Sequence, residues 1–169
     1  MNLNVPLEPA LHYLEIVRDG IEREPDARNL YEAVSGEIVE QAGFILHPTI
    51  EYFGGTPDGL IRSNVHVPRT AQIKCPTLDT YVAWVRAGVI PEEHKPQMIA
   101  EIACTRAILP NCNSATFIAY NPDMPERLQL MVRPFEPSAE EIKAVEDAAI
   151  QFLKELDALF DDMNKRQVA

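Results

Sequence analysis

Two short segments carry side chains whose types and spacing could do chemistry: Gly55-Thr56-Pro57-Asp58-Gly59-Leu60-Ile61 and Ala71-Gln72-Ile73-Lys74-Cys75-Pro76. In the first, an aspartate leaves a tight Pro/Gly turn just ahead of an apolar run. In the second, a strand-like run ends in polar, apolar, lysine. Alternation along a strand puts Gln72 and Lys74 on one face, with Ile73 turned to the core behind them. If the two runs pair as a hairpin, Asp58 lies beside that face. Carboxylate and carbonyl oxygens hold Mg²⁺. The ion polarises a phosphate and lowers the pKa of its water, and a neighbouring lysine can orient that water or help to deprotonate it. A plainer reading of the same residues is also open, with Asp58 as a turn aspartate and Lys74 as a solvated strand end.

Other residues carry paired readings. Glu24 can be a first-turn helix acid favoured by the helix dipole. His94, Gln97 and Glu101 share a helix face at spacings of three and four, as a metal stripe would. The alternative makes His94 and Glu101 solvated or hydrogen-bonded structure. Tyr81 and Trp84 could stack on bases or pack on the sheet. Arg62, Arg69, Lys95 and Arg106 could meet phosphates or be ordinary surface charges.

The elements that must position these groups follow from periodicity. Leu11, Leu14 and Val17 keep a helical rhythm after Pro9, which suits a first helical turn. Pro25 is expected to open a second helix with Ala27, Leu30, Tyr31, Val34 and Ile38 on one face, ended by Gly43. Residues 44–47 and 50–53 read as short strands, broken by Gly54 and Gly55. Residues 59–62 and 70–74 read as paired strands around a polar turn near Ser63 and Asn64. Thr77 can cap a helix burying Leu78, Tyr81, Val82 and Val85, and Pro91 opens another to about Ala107. Residues 114–120 and 127–133 are expected strands around Asn121-Pro122-Asp123. Ser138 and Glu141 form a capping box for a last helix whose Ile142, Val145, Ala149, Phe152, Leu156, Leu159 and Met163 keep helical spacing. The order predicts an α/β fold, a mixed sheet flanked by helices, in one domain.

Composition bounds the reading. The chain has 169 residues, 46% of them apolar, enough for one core. No run of 18 apolar residues occurs, so no transmembrane helix is expected. The sequence MNLNVPLEPA is not that of a signal peptide, and the cytoplasm is the expected compartment. Three cysteines (Cys75, Cys104, Cys112) without a CxxC pair argue against disulfides and structural zinc. The net charge of −11 argues, taken alone, against nucleic acid. Much of the acid, however, falls in residues 136–162, which read as a surface helix.

Taken in order, Thr56-Pro57-Asp58-Gly59-Leu60 and Ile73-Lys74-Cys75-Pro76 resemble the paired signatures of the lambda-exonuclease/YqaJ branch of the PD-(D/E)XK nucleases. The resemblance runs upstream through Gly20-Ile21-Glu22-Arg23-Glu24-Pro25-Asp26-Ala27-Arg28, Tyr31-Glu32 and Ser35-Gly36. It runs downstream through Val89-Ile90-Pro91-Glu92-Glu93-His94-Lys95-Pro96-Gln97-Met98 and Ala119-Tyr120-Asn121-Pro122, so nearly all of residues 1–169 is covered. It implies a restriction-endonuclease-like fold and a Mg²⁺-dependent DNA exonuclease, with Mn²⁺ as a substitute. It implies 5′→3′ action on duplex DNA ends in phage-type recombination, a single-strand annealing protein as partner, and a homotrimer. By the same resemblance Asp58 is a metal ligand, Ile73 lends its carbonyl, Lys74 is the catalytic lysine, Glu24 serves a second metal or its water, and Gln97 lies near the lysine.

There are two departures from the family pattern. Gln72 stands where the family has an acidic ligand, which lowers the expected metal affinity and leaves turnover open. The family's further N-terminal stretch, with an arginine and small hydroxyl residues that meet the DNA end, is not matched, which leaves end recognition open. A catalytically silent DNA-binding or assembly subunit and a structure-selective endonuclease are the alternatives.

Overall fold

The computed structural model describes residues 7–62 and 67–167, with side chains from Arg18 onward apart from Asp19 and Gln167. The expected turn near Ser63 and Asn64 and the apolar face at Leu11, Leu14 and Val17 lie outside what is described. Helix α1 (Leu7–Ser35) is followed by β1 (Ile38–Glu40), β2 (Ile45–Leu46), β3 (Gly54–Gly55), β4 (Gly59–Arg62) and β5 (Arg69–Lys74). Then come α2 (Leu78–Ala87), α3 (Lys95–Thr105), β6 (Ala115–Tyr120), β7 (Leu130–Phe135) and α4 (Ala139–Gln167). The main sheet has the order β1-β4-β5-β6-β7, and β2 pairs β3 in a small second sheet. Only β5 and β6 pair in parallel; the other neighbours are antiparallel. A parallel pair needs a long crossover, and α2 and α3 supply it. The architecture is a mixed α/β single domain, as the sequence suggested, and among the described residues no helix is long and apolar enough to cross a membrane.

The two faces of β5 sort its residues. Ala71 and Ile73 join Ala27 and Tyr31 of α1 in one apolar cluster. Gln72 stands in register with Phe117 of β6, and Phe117 packs on the other face among Tyr81, Met98 and Ile102. The side chains of Thr70, Gln72 and Lys74 therefore look toward α2 and α3, while α1 covers the back.

Several local expectations are corrected. Pro25 does not open a second helix; it sits inside α1. A proline removes one backbone donor, and burial of Ala27 and Tyr31 against the sheet carries the helix past that gap. The helix ends at Ser35 rather than near Gly43. Gly36, at φ +72°, returns its N–H to the Glu32 carbonyl at 2.9 Å. Val34 and Ile38 are consequently exposed, not part of a buried face. Residues 50–53 are a turn rather than a strand. His47 Nδ1 accepts the N–H groups of Thr49 (3.3 Å) and Ile50 (3.0 Å), which bends the chain there. Gly54 and Gly55, expected to break the chain, form β3. Leu78 is exposed while Tyr81 of the same helix is fully buried. Residues 126–128 form a short 3-10 turn, so the last strand starts at Leu130. The Ser138–Glu141 capping box is present, with both reciprocal hydrogen bonds.

Gly59 fixes how closely β1 approaches the turn that carries Asp58. A Cβ there would lie 2.3 Å from Val39 Cγ1 and 3.2 Å from the Glu40 carbonyl oxygen. Val39 is buried and β-branched, so it has little room to give. Gly59→Ala is expected to destabilise the fold by about 1–3 kcal/mol through overpacking, read as a lower midpoint in urea unfolding. An unchanged midpoint would show that β1 moves freely away from β4.

Candidate metal centre

β4 pairs with β5 only from Gly59 opposite Ala71 onward, so beyond Ala71 one edge of β5 has no strand beside it. Asp58, one residue ahead of β4, turns into that gap. Its Oδ2 accepts the backbone N–H of Ile73 at 2.6 Å and the side-chain amide of Gln72 at 2.5 Å. A residue's N–H and C=O leave an extended strand on the same side, so the Ile73 carbonyl faces this gap as well. Arg28 ties the turn to α1. Its guanidinium donates to the Asp58 carbonyl at 3.1 Å and to Glu24 Oε1 at 2.7 Å. Burial, then the charge of Asp58, hold the Glu24 carboxyl above its ordinary range against the opposing pull of Arg28 and Lys74.

These groups meet in a cleft of about 560 Å³, whose lining includes Glu24, Asp58, Ile73, Lys74, Trp84 and Gln97. The structure thus brings together Glu24, Asp58, Ile73, Lys74 and Gln97. Gln72 lies directly beneath, fully buried. His94 also lines the cleft. Its ring is stacked on Phe117 and edge-on to Trp84, so aromatic packing rather than solvent surrounds it. Burial, then Lys74, push the His94 imidazolium pKa down. Trp84 packs on Phe117 and forms one wall. Tyr81 is core, its hydroxyl donating to the Leu128 carbonyl at 2.7 Å.

The four basic residues weighed for phosphate contact are all engaged within the chain. Arg62 pairs with Glu40 and Lys95 with Glu92. Arg69 binds Glu37 and Thr116, and Arg106 donates to the Cys112 carbonyl. The three cysteines are free.

Two functional candidates were under-read from sequence: Arg28 was given no role, and Glu101 was weighed only as part of a His94–Gln97–Glu101 metal stripe or as solvated or hydrogen-bonded structure. Arg28 orients Glu24, and their spacing of four was the available signal. Glu101 is the other. It sits in an apolar helix run, Met98-Ile99-Ala100-Glu101-Ile102-Ala103, and is 3% exposed. Its Oε1 accepts the Gln97 amide at 2.8 Å, so it is hydrogen-bonded but not solvated. An ionisable residue at the centre of an apolar helix was the signal.

Among the described residues no three His, Cys, Asp or Glu side chains converge as a ready-made metal cage. The donor set is mixed: the Asp58 carboxylate, the Ile73 carbonyl and the Gln72 side-chain oxygen. That last atom, Gln72 Oε1, is buried without a hydrogen-bond partner. An orphaned amide oxygen beside a carboxylate fits a hard divalent cation. Mg²⁺ in particular is held by one or two carboxylates, with water and substrate oxygens completing its shell.

The YqaJ-like viral recombinase domain model matches residues 12–107 of the chain. No protein of curated function matches it significantly in sequence. Among solved structures, the fold superposes on an alkaline exonuclease, LHK-Exo, from Laribacter hongkongensis with a TM-score of 0.82. The two share 31% identity over 90% of this chain and 74% of that one. The same enzyme in complex with dAMP gives a TM-score of 0.82 at 30% identity, covering 91% of this chain and 74% of that one. A phage-related exonuclease from Haemophilus somnus 129PT shares the fold, with a TM-score of 0.62 at 15% identity over 88% of this chain and 73% of that one.

Burial raises the Glu101 carboxyl from the ordinary 4.5 to about 7, with the charge of Asp58 adding to it and Gln97 and Lys74 opposing. Between those two values the folded chain keeps a proton that the unfolded chain has lost. In metal-free buffer this group's contribution is therefore full below about pH 4.5, and it is lost as pH rises to about 7. Glu101→Gln is expected to remove that part of the slope, seen by comparing urea-unfolding midpoints at about pH 5 and about pH 8. A slope identical to that of the parent would contradict it.

Proposed function

The chain belongs to the YqaJ-like viral recombinase domain family, and from that membership we propose that it is a divalent-metal-dependent deoxyribonuclease shortening linear duplex DNA from its ends. The observation that carries the proposal is the Asp58 carboxylate. It is locked to the open edge of β5 by Ile73 and Gln72, with Lys74 and Glu24 in the same cleft. Asp58, the Ile73 carbonyl and the Gln72 side-chain oxygen would hold Mg²⁺, or Mn²⁺ in its place, and Glu24 would serve a second ion or its water. When bound, the cation supplies Lewis acidity to a phosphate oxygen and a lowered pKa to water.

The chain's own groups then have distinct tasks. The Lys74 ammonium offsets the negative charge that grows on a phosphate under attack and can steer the incoming water. Glu24, oriented by Arg28, presents a carboxylate to water entering from the α1 side. Gln97 borders the lysine side of the cleft. Trp84 and the neighbouring His94 ring give an apolar wall against which a sugar or base can pack. That LHK-Exo has been crystallised with dAMP supports a deoxynucleotide as the ligand class.

The finer reading follows the lambda-exonuclease resemblance. Cleavage proceeds 5′→3′ from a duplex end, in phage-type recombination, and leaves single strand for an annealing protein. The assembly is a homotrimer, and residues 1–169 form one nuclease domain. A second reading is favoured by Gln72, since a neutral ligand at that position suits a silent DNA-binding subunit. Incubation with Mg²⁺ and linear or closed-circular duplex separates them. Shortening of the linear form alone supports the exonuclease, binding without cleavage supports the silent subunit, and nicking of circles supports an endonuclease.

Asp58→Ala is expected to abolish cleavage and metal binding and, by leaving the Ile73 N–H without its acceptor, to lower stability by about 1–3 kcal/mol without unfolding the chain. Lys74→Ala is expected to lower the rate by about 100-fold or more with calorimetric Mn²⁺ affinity nearly unchanged, because the lysine serves the phosphate and water rather than the ion. A folded Asp58→Ala protein cutting at the parent rate would remove the metal-centre reading. Undiminished turnover of Lys74→Ala would reduce that residue to a strand-end charge.

A further inference from the structure

The proposed centre is short of one negative charge, because position 72 is an amide. The same face of the sheet holds a carboxylate with no assigned task. Glu101 lies on α3, which packs on β5 and β3. Its Cγ would be 3.5 Å from a Cβ placed on Gly55, so its side chain lies against β3, whose chain leads directly into the Asp58 turn. The charges of Asp58 and Lys74 both act on it.

The hydrogen bonding of Glu101 is incomplete in either protonation state. Gln97 satisfies Oε1, but Oε2 is buried with no partner. Ionised, Oε2 lacks a donor; protonated, its O–H lacks an acceptor. A buried carboxyl left this way loses its hydration with no partner to replace it, and such a group calls for an explanation. Gln72 has the same defect on the facing strand: its amide nitrogen is committed to Asp58, and its Oε1 is buried and unpartnered. The two orphaned oxygens belong to opposing elements that enclose one face of β5. Both are hard oxygen donors, and a cation held between the two elements would give each a partner.

We propose that Glu101 supplies from helix α3 the negative charge that Gln72 lacks on strand β5, so that Asp58 and Glu101 are the two carboxylates of the centre and Gln72 is its neutral ligand. Charge has been moved across the interface between strand and helix, not lost. The number of carboxylates agrees with the one or two that Mg²⁺ sites use. The inference rests on the metal-centre reading above, and it argues against the silent-subunit reading that Gln72 favours.

The test is calorimetric titration of Mn²⁺ into the whole chain, with the Mn²⁺-induced rise in thermal unfolding temperature as a second readout. The proteins are the parent, Asp58→Ala, Glu101→Gln, Gln72→Glu, and the double exchange Gln72→Glu with Glu101→Gln. Glu101→Gln is nearly isosteric and relieves a buried carboxyl, so the metal-free protein should remain folded. It should bind Mn²⁺ about 10-fold or more weakly, and the double exchange should recover most of that loss by returning the charge to the strand; about 10-fold corresponds to about 1.4 kcal/mol. Gln72→Glu alone should bind more tightly than the parent. If Glu101→Gln binds Mn²⁺ as the parent does while Asp58→Ala does not, Glu101 is only a structural acid and the inference falls alone. A loss that Gln72→Glu does not restore overturns the exchange of charge. If Asp58→Ala also binds as the parent does, the metal-centre reading falls and this inference with it.

Discussion

Strand β5 pairs with β6 from Thr70 to Lys74 but with β4 only from Arg69 to Ala71, and that inequality opens the cleft. Where β4 stops, the Ile73 N–H would face the protein interior without an acceptor, and a buried unpaired donor is not tolerated. The Asp58 carboxylate takes the role that a strand neighbour would have had. The hydrogen bond has two consequences. It closes the backbone account of β5 and places a carboxylate beside Lys74. Everything else around the cleft is arranged to keep the Asp58 turn where that bond can form: Arg28 gripping its carbonyl from α1, and the absence of a side chain at Gly59 allowing β1 to close against it.

The two sides of β5 carry different kinds of stability. Behind it, Ala71 and Ile73 pack with α1 in an ordinary apolar cluster. In front, Thr70, Gln72 and Lys74 meet a helix face that includes Gln97, Glu101 and Thr105. Thr70, Gln72, Glu101 and Thr105 each have a buried side-chain oxygen with no partner. Such a polar layer weakens the metal-free fold, since each orphaned group forfeits its hydration. A ligand that binds only the folded state stabilises it by mass action, so any group that gave these oxygens a partner would raise the stability of the fold.

The hairpin and the facing of its polar side chains were legible because strand alternation is a strict period of two. Once residues 59–62 and 70–74 read as strands, the sides of Asp58, Gln72 and Lys74 followed. The helix breaks were less legible. Proline is a strong local signal, but at Pro25 burial of Ala27 and Tyr31 outweighed one missing hydrogen bond. The stretch after His47 read as a strand by residue type, and a side-chain ring bonding to two backbone N–H groups made it a turn. Arg28 was given no role, and Glu101 was read only as a stripe member or a structural acid, because what each side chain meets is tertiary. Nothing local to α1 says that an arginine will reach a turn thirty positions on, and nothing local to α3 says that its lone acid will be buried against β3.

Helix α4 is held to the body through its beginning. Ile142 and Val145 pack against Ile99 and Ala103 of α3, and His47 meets Glu146 at 3.3 Å. Farther along, Phe152, Leu159, Phe160 and Met163 are largely exposed. An isolated helical stretch of that length is marginal in water without tertiary support. The two ends of one continuous helix therefore belong to different opening equilibria. Amide hydrogens near its start should exchange with solvent at the pace of the sheet, and those near its end through local fraying that leaves the cleft untouched.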